Sequence, residues 1–493
     1  MNRHGATSSP PEPAWTTEGE ATPPQRPNVL FIVFDDLSTQ MGCYGDTFAK
    51  TPNFDKLAAR GMVFERNYCQ QPICNPSRVS FMTGRRPDTL GIWDIPTNLR
   101  ERHPDMITMP QWFKQHGYFA QGIGKIYHHW AQKTSGDPAS WNVPEIMHWG
   151  RHQLAHPVLP AGTPMPPTLA QDPWCECRDV PDEAYYDGRI ANLAIEALRV
   201  LANKKQPFFL GVGMWKPHTP FNAPKRYWDM YDRDQVPAAR PPDRPKNAPD
   251  LASHANHELM GLPPDYAPMR SIDEAAKQEL RHGRYAVISY ADAQIGKVLD
   301  ELDRLGLAEN TVVALITDHG LQVGEHGSYG KMTLYKLDTR VPLIVAGPGV
   351  TKTGTKTQSL AELIDVYPTL ADLCGLPRPD GVDGVSLKPV LQDPGACVNA
   401  GALTQHPRPA LYWNTQPEPS VMGYSLHTDR WCYTEWRDFR TSRVVGQELY
   451  DYYADPEESV NLAGTLEGAP HIPALAVQLE AMVRSAKPIG RPS

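Results

Sequence analysis

In the stretch Asn28-Val29-Leu30-Phe31-Ile32-Val33-Phe34-Asp35-Asp36 the chain runs apolar up to Phe34 and then stops on two adjacent carboxylates. β-Branched and aromatic residues without polar alternation predict a strand buried on both faces, as in a parallel sheet sandwiched between helices. The neighbouring sequence supplies those helices. Around Asn53 to Arg60 the preceding Pro52, the shared face of Phe54, Leu57 and Ala58, and Gly61 as a stop predict a short helix. Met109 to His116 followed by Gly117 repeats the pattern. Ile190, Leu193, Ala194, Ala197, Leu198 and Leu201 share a third helical face, and Pro207 to Gly213 then reads as another buried strand. A long helix from about Ser271 to Leu305 leads into the strand Thr311 to Thr317, which ends in Asp318-His319, and Val341 to Ala346 reads as one more strand. Helix and strand alternating in this way predict an α/β fold with a large, mostly parallel central sheet flanked by helices.

The texture changes after a helix expected near Leu360 to Cys374. Short alternating strands are expected at Leu411 to Asn414, Gly423 to Arg430, Cys432 to Trp436 and Glu448 to Tyr452, then a terminal helix from about Pro473 to Ser485. This predicts a smaller C-terminal α+β subdomain built on an antiparallel sheet. The expected division is a disordered tail over 1–26, a catalytic domain over 27–395 and the subdomain over 396–493. No internal repeat is evident.

A net charge of -8 argues against nucleic-acid or membrane-surface partners, which favour clustered positive charge, so an anionic substrate must be met by local cations. Fifty prolines, roughly double the usual share of about 5%, sit mainly between the apolar runs and predict long ordered loops over the scaffold. Eight cysteines show no metal-knuckle spacing and are sparse for a disulfide framework, so most are read as free thiols, the closely spaced Cys175 and Cys177 included. No run reaches the roughly 18 to 20 apolar residues of a membrane span, and the first residues hold no apolar leader segment; the expectation is a cytoplasmic protein.

Ligands of open α/β sheets collect beyond the carboxyl ends of the strands. Two predicted strands end there in acidic groups, Asp35-Asp36 and Asp318-His319. Either pair alone could cap the next helix, but together they bring three carboxylates to one edge, where mutual repulsion makes a bound divalent metal the economical expectation. Oxygen ligands favour calcium, magnesium or manganese over zinc, and the imidazole of His319 keeps manganese open. A further feature is Cys74-Asn75-Pro76-Ser77-Arg78 followed by Thr83-Gly84-Arg85-Arg86, a nucleophile precursor beside a fixed cation. His103, His116, His129, His148, His152 and His156 form a loose group without regular ligand spacing and are not assigned a metal.

The C-x-P-S-R stretch resembles the signature of the type I, formylglycine-dependent sulfatases of the alkaline phosphatase superfamily. Further elements resemble the iduronate-2-sulfatase-like branch: Arg85-Arg86-Pro87-Asp88-Thr89, Gly124-Lys125-Ile126-Tyr127-His128, Lys216-Pro217-His218-Thr219-Pro220-Phe221, Tyr285 to Gly296, Asp318-His319-Gly320 with Gly324-Glu325-His326-Gly327 and Lys331, and Met422-Gly423-Tyr424-Ser425. They run in order from about residue 27 to 463.

The resemblance implies that Cys74 is oxidised to formylglycine by a formylglycine-generating enzyme, and that its hydrated aldehyde attacks a sulfate ester to form a covalent sulfate intermediate. It implies that Asp35, Asp36, Asp318, His319 and residue 74 hold one divalent metal, most simply Ca2+, with Mn2+ or Mg2+ as alternatives. Arg78 would orient the hydrate, Lys125 and Lys331 would bind sulfate oxygens, His218 would protonate the leaving oxygen, and His128 would act as base. Lys216 is an additional candidate for substrate contact. The chemistry is coherent in itself, because an aldehyde hydrate carries two hydroxyls on one carbon, one to attack and one to expel sulfate afterwards. The expected reaction is hydrolysis of a small-molecule or saccharide sulfate ester to an alcohol and inorganic sulfate. Two other readings use the same residues: a phosphonate or phosphate ester hydrolase, and a non-catalytic protein that binds sulfated ligands. Substrate choice would lie in loops such as 129–185 and 233–270.

Overall fold

The computed structural model describes residues 26–128, 136–146, 174–254, 259, 273–410 and 418–486. The opening apolar run forms strand β1 (Asn28–Asp35), buried along its whole length. It is an interior strand of a seven-stranded sheet with β2 (Gly61–Tyr68), β3 (Phe119–Gly124), β4 (Phe208–Pro217), β5 (Thr311–Thr317), β6 (Leu343–Ala346) and β7 (Thr355–Glu362). The strand order is β7-β2-β6-β5-β1-β4-β3. β1 pairs in parallel with β4 and β5, β3 with β4 and β2 with β7, while β6 alone runs antiparallel to its neighbours β2 and β5.

Alternate side chains of β1 enter two cores. Val29, Phe31 and Val33 pack with Phe81 and Met82 of α2 (Cys74–Thr83), Met109 and Phe113 of α3 (Met109–Gln115), and Val366 and Leu370 of a helix over Val366–Leu373. Leu30, Ile32 and Phe34 face Leu57 of α1 (Pro52–Arg60), Ile190 and Leu198 of α4 (Tyr186–Leu201), and Ile295 and Leu302 of α5 (Glu274–Arg304). Period-two alternation thus feeds both layers of a helix-sheet-helix sandwich. Burying each large apolar side chain contributes roughly 1.5–3 kcal/mol.

A second, four-stranded antiparallel sheet follows, with strands β8 (Ala402–Arg408), β9 (Val421–His427), β10 (Trp431–Asp438) and β11 (Val444–Asp451) in sequential order. The helix Ile472–Ser485 covers it through Leu475 and Leu479, which join Leu403, Leu426 and Leu449. Buried Arg86 forms two 2.7 Å bonds to Glu362 at the end of β7, and Glu362 also accepts from the Leu403 amide of β8, so the two sheets share one buried ion pair.

Several boundaries differ from the sequence expectation. Gly61, read as a helix stop, also begins β2 without a connecting loop. The helix expected from Leu360 begins at Val366, because Leu360 to Glu362 extend β7 beside β2 and the carboxylate of Asp365 then accepts the Glu362 amide. β8 was hidden by Pro407, which an edge strand tolerates and a central one does not. The strand expected at Leu411 to Asn414, residues 1–25 of the expected tail, and His129, His148, His152 and His156 lie outside the described residues. All eight cysteines are free thiols. Among the described residues no helix is long and apolar enough to cross a membrane.

Candidate active site

Phe34 stands opposite Thr317 in the β1/β5 ladder, so Asp35-Asp36 and Asp318-His319 leave adjacent strands side by side. Consecutive strand residues point to opposite faces, yet the first two carboxylates converge. The chain achieves this at Asp36, whose φ of 64° is left-handed, a conformation that aspartate tolerates better than most side chains. The Asp36 amide donates to Asp318 Oδ1 at 3.2 Å, and the His319 amide donates to the same oxygen at 2.9 Å.

Cys74 is the first residue of α2, a helix buried over its whole length, and Arg78 lies one turn on along the same face. Cys74 Sγ lies 3.3 Å from His319 Nε2, 3.6 Å from Asp35 Oδ1, 3.6 Å from Lys331 Nζ and 3.9 Å from Lys125 Nζ. Burial and the Asp35 carboxylate hold its thiol well above the ordinary range. Arg78 donates Nε to Asp318 Oδ2 at 2.8 Å, and its other nitrogens reach the carbonyls of Phe34, Lys125 and Ile126. Ser77 Oγ donates to the Asp318 carbonyl at 2.6 Å, fastening the helix to the end of β5.

Lys125 directly follows β3, and its ammonium donates to Asp35 Oδ2. Lys331 donates to Asp36 Oδ1 at 2.9 Å. His218 follows β4; its Nδ1 lies 2.8 Å from the Thr219 carbonyl, an arrangement that makes Nδ1 the donor and leaves Nε2 facing Asp36 Oδ2 at 3.8 Å. His128 is partly exposed near the same charges, and burial of its ring together with Lys125 holds its pKa well below the usual histidine value. The shift favours the uncharged ring over the imidazolium. Lys216 behaves differently: its ammonium donates to the His218 carbonyl at 3.0 Å and the Pro220 carbonyl at 2.7 Å, bracing its own turn, and burial pulls its pKa down to about 8.

The residues fit a metal. Ligand atoms of Asp35, Asp36, Cys74 and His319 lie within 4.8 Å of one another, all on buried residues. Asp36 Oδ2 is buried and accepts no hydrogen bond. His319 Nδ1 stands 3.0 Å from the Gly320 carbonyl, which makes it the donor and leaves the Nε2 lone pair facing Cys74. Asp318 adjoins this foursome, with Oδ2 3.6 Å from His319 Nε2, and its carboxylate is also engaged by Arg78 and by backbone amides. Charge repulsion does not by itself demand the metal, since Arg78, Lys125 and Lys331 already face the three carboxylates. The hard oxygen donors and the open Asp36 oxygen carry the argument.

Two positioning side chains escape sequence reasoning. Asp187 accepts the amides of Trp215 and Lys216, each at 2.9 Å, and so fixes the entry to the turn that carries His218. Arg284 reaches beneath Asp36 from α5. Neither belongs to a motif whose chemistry would single it out. Of the loosely grouped histidines, His103 spends its ring on the Leu90 carbonyl and His116 on the Trp112 carbonyl, away from this edge.

A family model described as Sulfatase matches residues 27–376, and one described as N-sulphoglucosamine sulphohydrolase, C-terminal, matches residues 324–485. The chain is 32% identical to iduronate 2-sulfatase of Mus musculus over 88% of this chain and 90% of that protein. Its fold is similar to that of a structure solved in complex with its substrate D-glucosamine-2-N,6-O-disulfate, with a TM-score of 0.71, 22% identity, and coverage of 94% of this chain and 98% of that one. The phosphonate monoester hydrolase of Agrobacterium radiobacter has a similar fold, with a TM-score of 0.71, 21% identity, and coverage of 94% and 96%.

Proposed function

This chain belongs to the sulfatase family and hydrolyses sulfate esters, and from that premise we propose that it acts through a formylglycine made from Cys74 beside one divalent cation. The observation that carries the proposal is the position of Cys74 Sγ within 3.3–3.9 Å of His319, Asp35, Lys331 and Lys125 at the start of a buried helix. As a thiol, held protonated by burial, residue 74 would be a weak nucleophile. A maturation enzyme that converts its CH2–SH into an aldehyde removes that weakness. The hydrated aldehyde supplies two hydroxyls on one carbon, one for attack on sulfur and one whose deprotonation afterwards expels sulfate.

Asp35, Asp36, His319 and residue 74 would hold the cation, with the Asp318 carboxylate, 3.6 Å from His319 Nε2, as a further oxygen ligand. The carboxylate oxygens favour Ca2+; the His319 nitrogen favours Mn2+. When bound, the cation supplies fixed positive charge beside position 74.

The remaining roles fall to groups of the chain itself. Arg78 is immobilised by an ion pair and backbone carbonyls, so its charge is preorganised where negative charge develops. Lys125 and Lys331 bind sulfate oxygens, each already aimed at position 74. Doubly protonated, His218 delivers the proton on Nε2 to the leaving oxygen, while its Nδ1–H donates to the Thr219 carbonyl and holds the orientation. His128, kept neutral by its surroundings, receives the proton given up when sulfate leaves.

A saccharide sulfate is the proposed substrate class, on the strength of the named relative and of the sugar in the similar structure. The test has two parts. Fragment mass spectrometry of the tryptic peptide Asn67 to Arg78 should place an aldehyde or its hydrate at residue 74 and an intact thiol at Cys69. Matched aryl sulfate and aryl phosphonate esters should then show preferred release of sulfate; efficient phosphonate cleavage with negligible sulfate release would sink the substrate assignment.

A further inference from the structure

Arg284 lies in the first half of the long helix α5, and its side chain is among the largest fully buried of the described residues. Its guanidinium serves two segments of the site. Nη2 donates to the Asp36 carbonyl at 2.6 Å and to Ser38 Oγ at 3.2 Å, and Nε donates to Gln40 Oε1 at 3.3 Å. Nη1 reaches the Pro217 carbonyl at 3.4 Å. One fork of donors therefore joins the segment leaving β1 to the residue immediately before His218.

Both ends of that bridge need an anchor. Asp36 is the left-handed residue that turns its carboxylate toward Cys74; its amide is held by Asp318 Oδ1 and its carbonyl by Arg284, so the strained peptide is fixed from both sides. Pro217 has no N–H, so its carbonyl is the one backbone group by which that residue can be gripped, between the amides held by Asp187 and the carbonyls held by Lys216. Beyond these two anchors, His218 Nε2 and Asp36 Oδ2 stand 3.8 Å apart. Burying a guanidinium is expensive, and spending its hydrogen bonds on carbonyls of the site rather than on a carboxylate is hard to explain by stability alone. Burial draws its pKa down to about 10, which leaves it charged at neutral pH.

We propose that Arg284 is a positioning residue that sets the metal-binding carboxylate of Asp36 and the proton-donating imidazole of His218 in one geometry. The inference rests on the roles proposed above for those two residues. Arg284 acts through the backbone, on the carbonyls of Asp36 and Pro217. A lysine in its place could satisfy one segment but not both, because it lacks the planar fork.

The test uses the matured full-length enzyme, with Arg284→Lys as the mild variant and Arg284→Gln as a second should the first fail to fold. Calcium affinity is measured by titration calorimetry, kcat and KM on aryl sulfates of graded leaving-group pKa, and thermal unfolding without added metal. The expected result is calcium binding weakened roughly 10- to 100-fold, the range typical of groups that orient metal ligands. With it should come a lower kcat at nearly unchanged KM, a steeper dependence on leaving-group pKa, and a metal-free Tm within a few degrees of wild type. Wild-type calcium affinity and wild-type leaving-group dependence would overturn the inference, as would a lowered Tm with both of those unchanged. Asp36→Asn separates the two layers of the argument. If it binds calcium as tightly as wild type, the metal assignment fails and Arg284 with it; if it loses calcium while the Arg284 variants keep it, only the role of Arg284 falls.

Discussion

Cys74 Sγ and His319 Nε2 stand 3.3 Å apart although 245 residues separate them in the chain. One belongs to the first turn of a buried helix and the other follows a central strand; their meeting places a modifiable side chain against a nitrogen lone pair. The chemistry proposed for this protein depends on that meeting.

Cys74→Ala should abolish sulfate release, with turnover down by at least three orders of magnitude, because alanine can neither be oxidised to an aldehyde nor attack sulfur. Far-UV circular dichroism should be unchanged and the Tm should stay within a few degrees, since the lost contacts are long sulfur contacts. Retained sulfate release would remove the covalent mechanism.

His218→Ala should damage poor leaving groups most. An aryl sulfate whose phenol leaves unaided should lose little, whereas an alkyl sulfate should lose roughly 10²- to 10⁴-fold, the usual contribution of a general acid. Brønsted plots for the two enzymes give the answer, and parallel lines would deny His218 its acid role.

Chelation should abolish activity, and re-added calcium or manganese should restore it. Bound metal should also raise the Tm, since a ligand present at 100 times its dissociation constant stabilises the folded state by about 2.7 kcal/mol. Asp36→Asn should remove most of this metal-dependent rise. A Tm indifferent to metal in the wild-type enzyme would contradict the site built from Asp35, Asp36, His319 and residue 74.

Acid stability should depend on His427. This buried histidine stacks on Tyr68 with ring centroids 4.0 Å apart, its Nδ1 lies 2.9 Å from Tyr452 Oη, its Nε2 is buried without a partner, and burial lowers its pKa to about 3. The folded state holds it neutral while the unfolded chain protonates near 6.5, so the unfolded state binds more protons between those values. Its contribution is complete above about pH 6.5 and is lost as pH falls from there toward 3, at up to about 1.4 kcal/mol per unit. Urea denaturation at pH 7.5 and pH 5 should show a wild-type loss about 2 kcal/mol larger than that of His427→Phe. Equal losses would mean that His427 is not held neutral.

Arg86→Met should destabilise the protein by about 3–5 kcal/mol, because it strands the buried Glu362 carboxylate. The double variant Arg86→Met with Glu362→Gln should recover part of that loss. Denaturation midpoints measure both, and a double variant no better than the single one would argue that the pair acts through shape rather than charge.

Much of the scaffold was legible because burial leaves a local record. The strand ending in Asp35-Asp36, the strand ending in Asp318-His319 and the helices over Ile190 to Leu201 and Pro52 to Arg60 all show their periods in sequence. β8 and β2 were missed where that record is broken, by Pro407 in one case and in the other by Gly61, which serves as helix stop and strand start at once.

By itself the sequence determined which chemical groups are available and that the apolar runs deliver acids to one sheet edge. It also determined the order of motifs that carries the family resemblance. The tertiary structure alone decided how those groups face one another. Strand order put β1 between β5 and β4, a left-handed turn at Asp36 brought consecutive carboxylates to one side, and Lys216 was turned onto its own backbone. Only the packed fold showed a buried arginine of α5 spanning Asp36 and Pro217. The physical reason is range. Periodicity and turn chemistry are set by neighbours within a few residues, whereas register, side-chain direction and the pairing of buried charges are settled only when distant segments compete for the same hydrogen bonds.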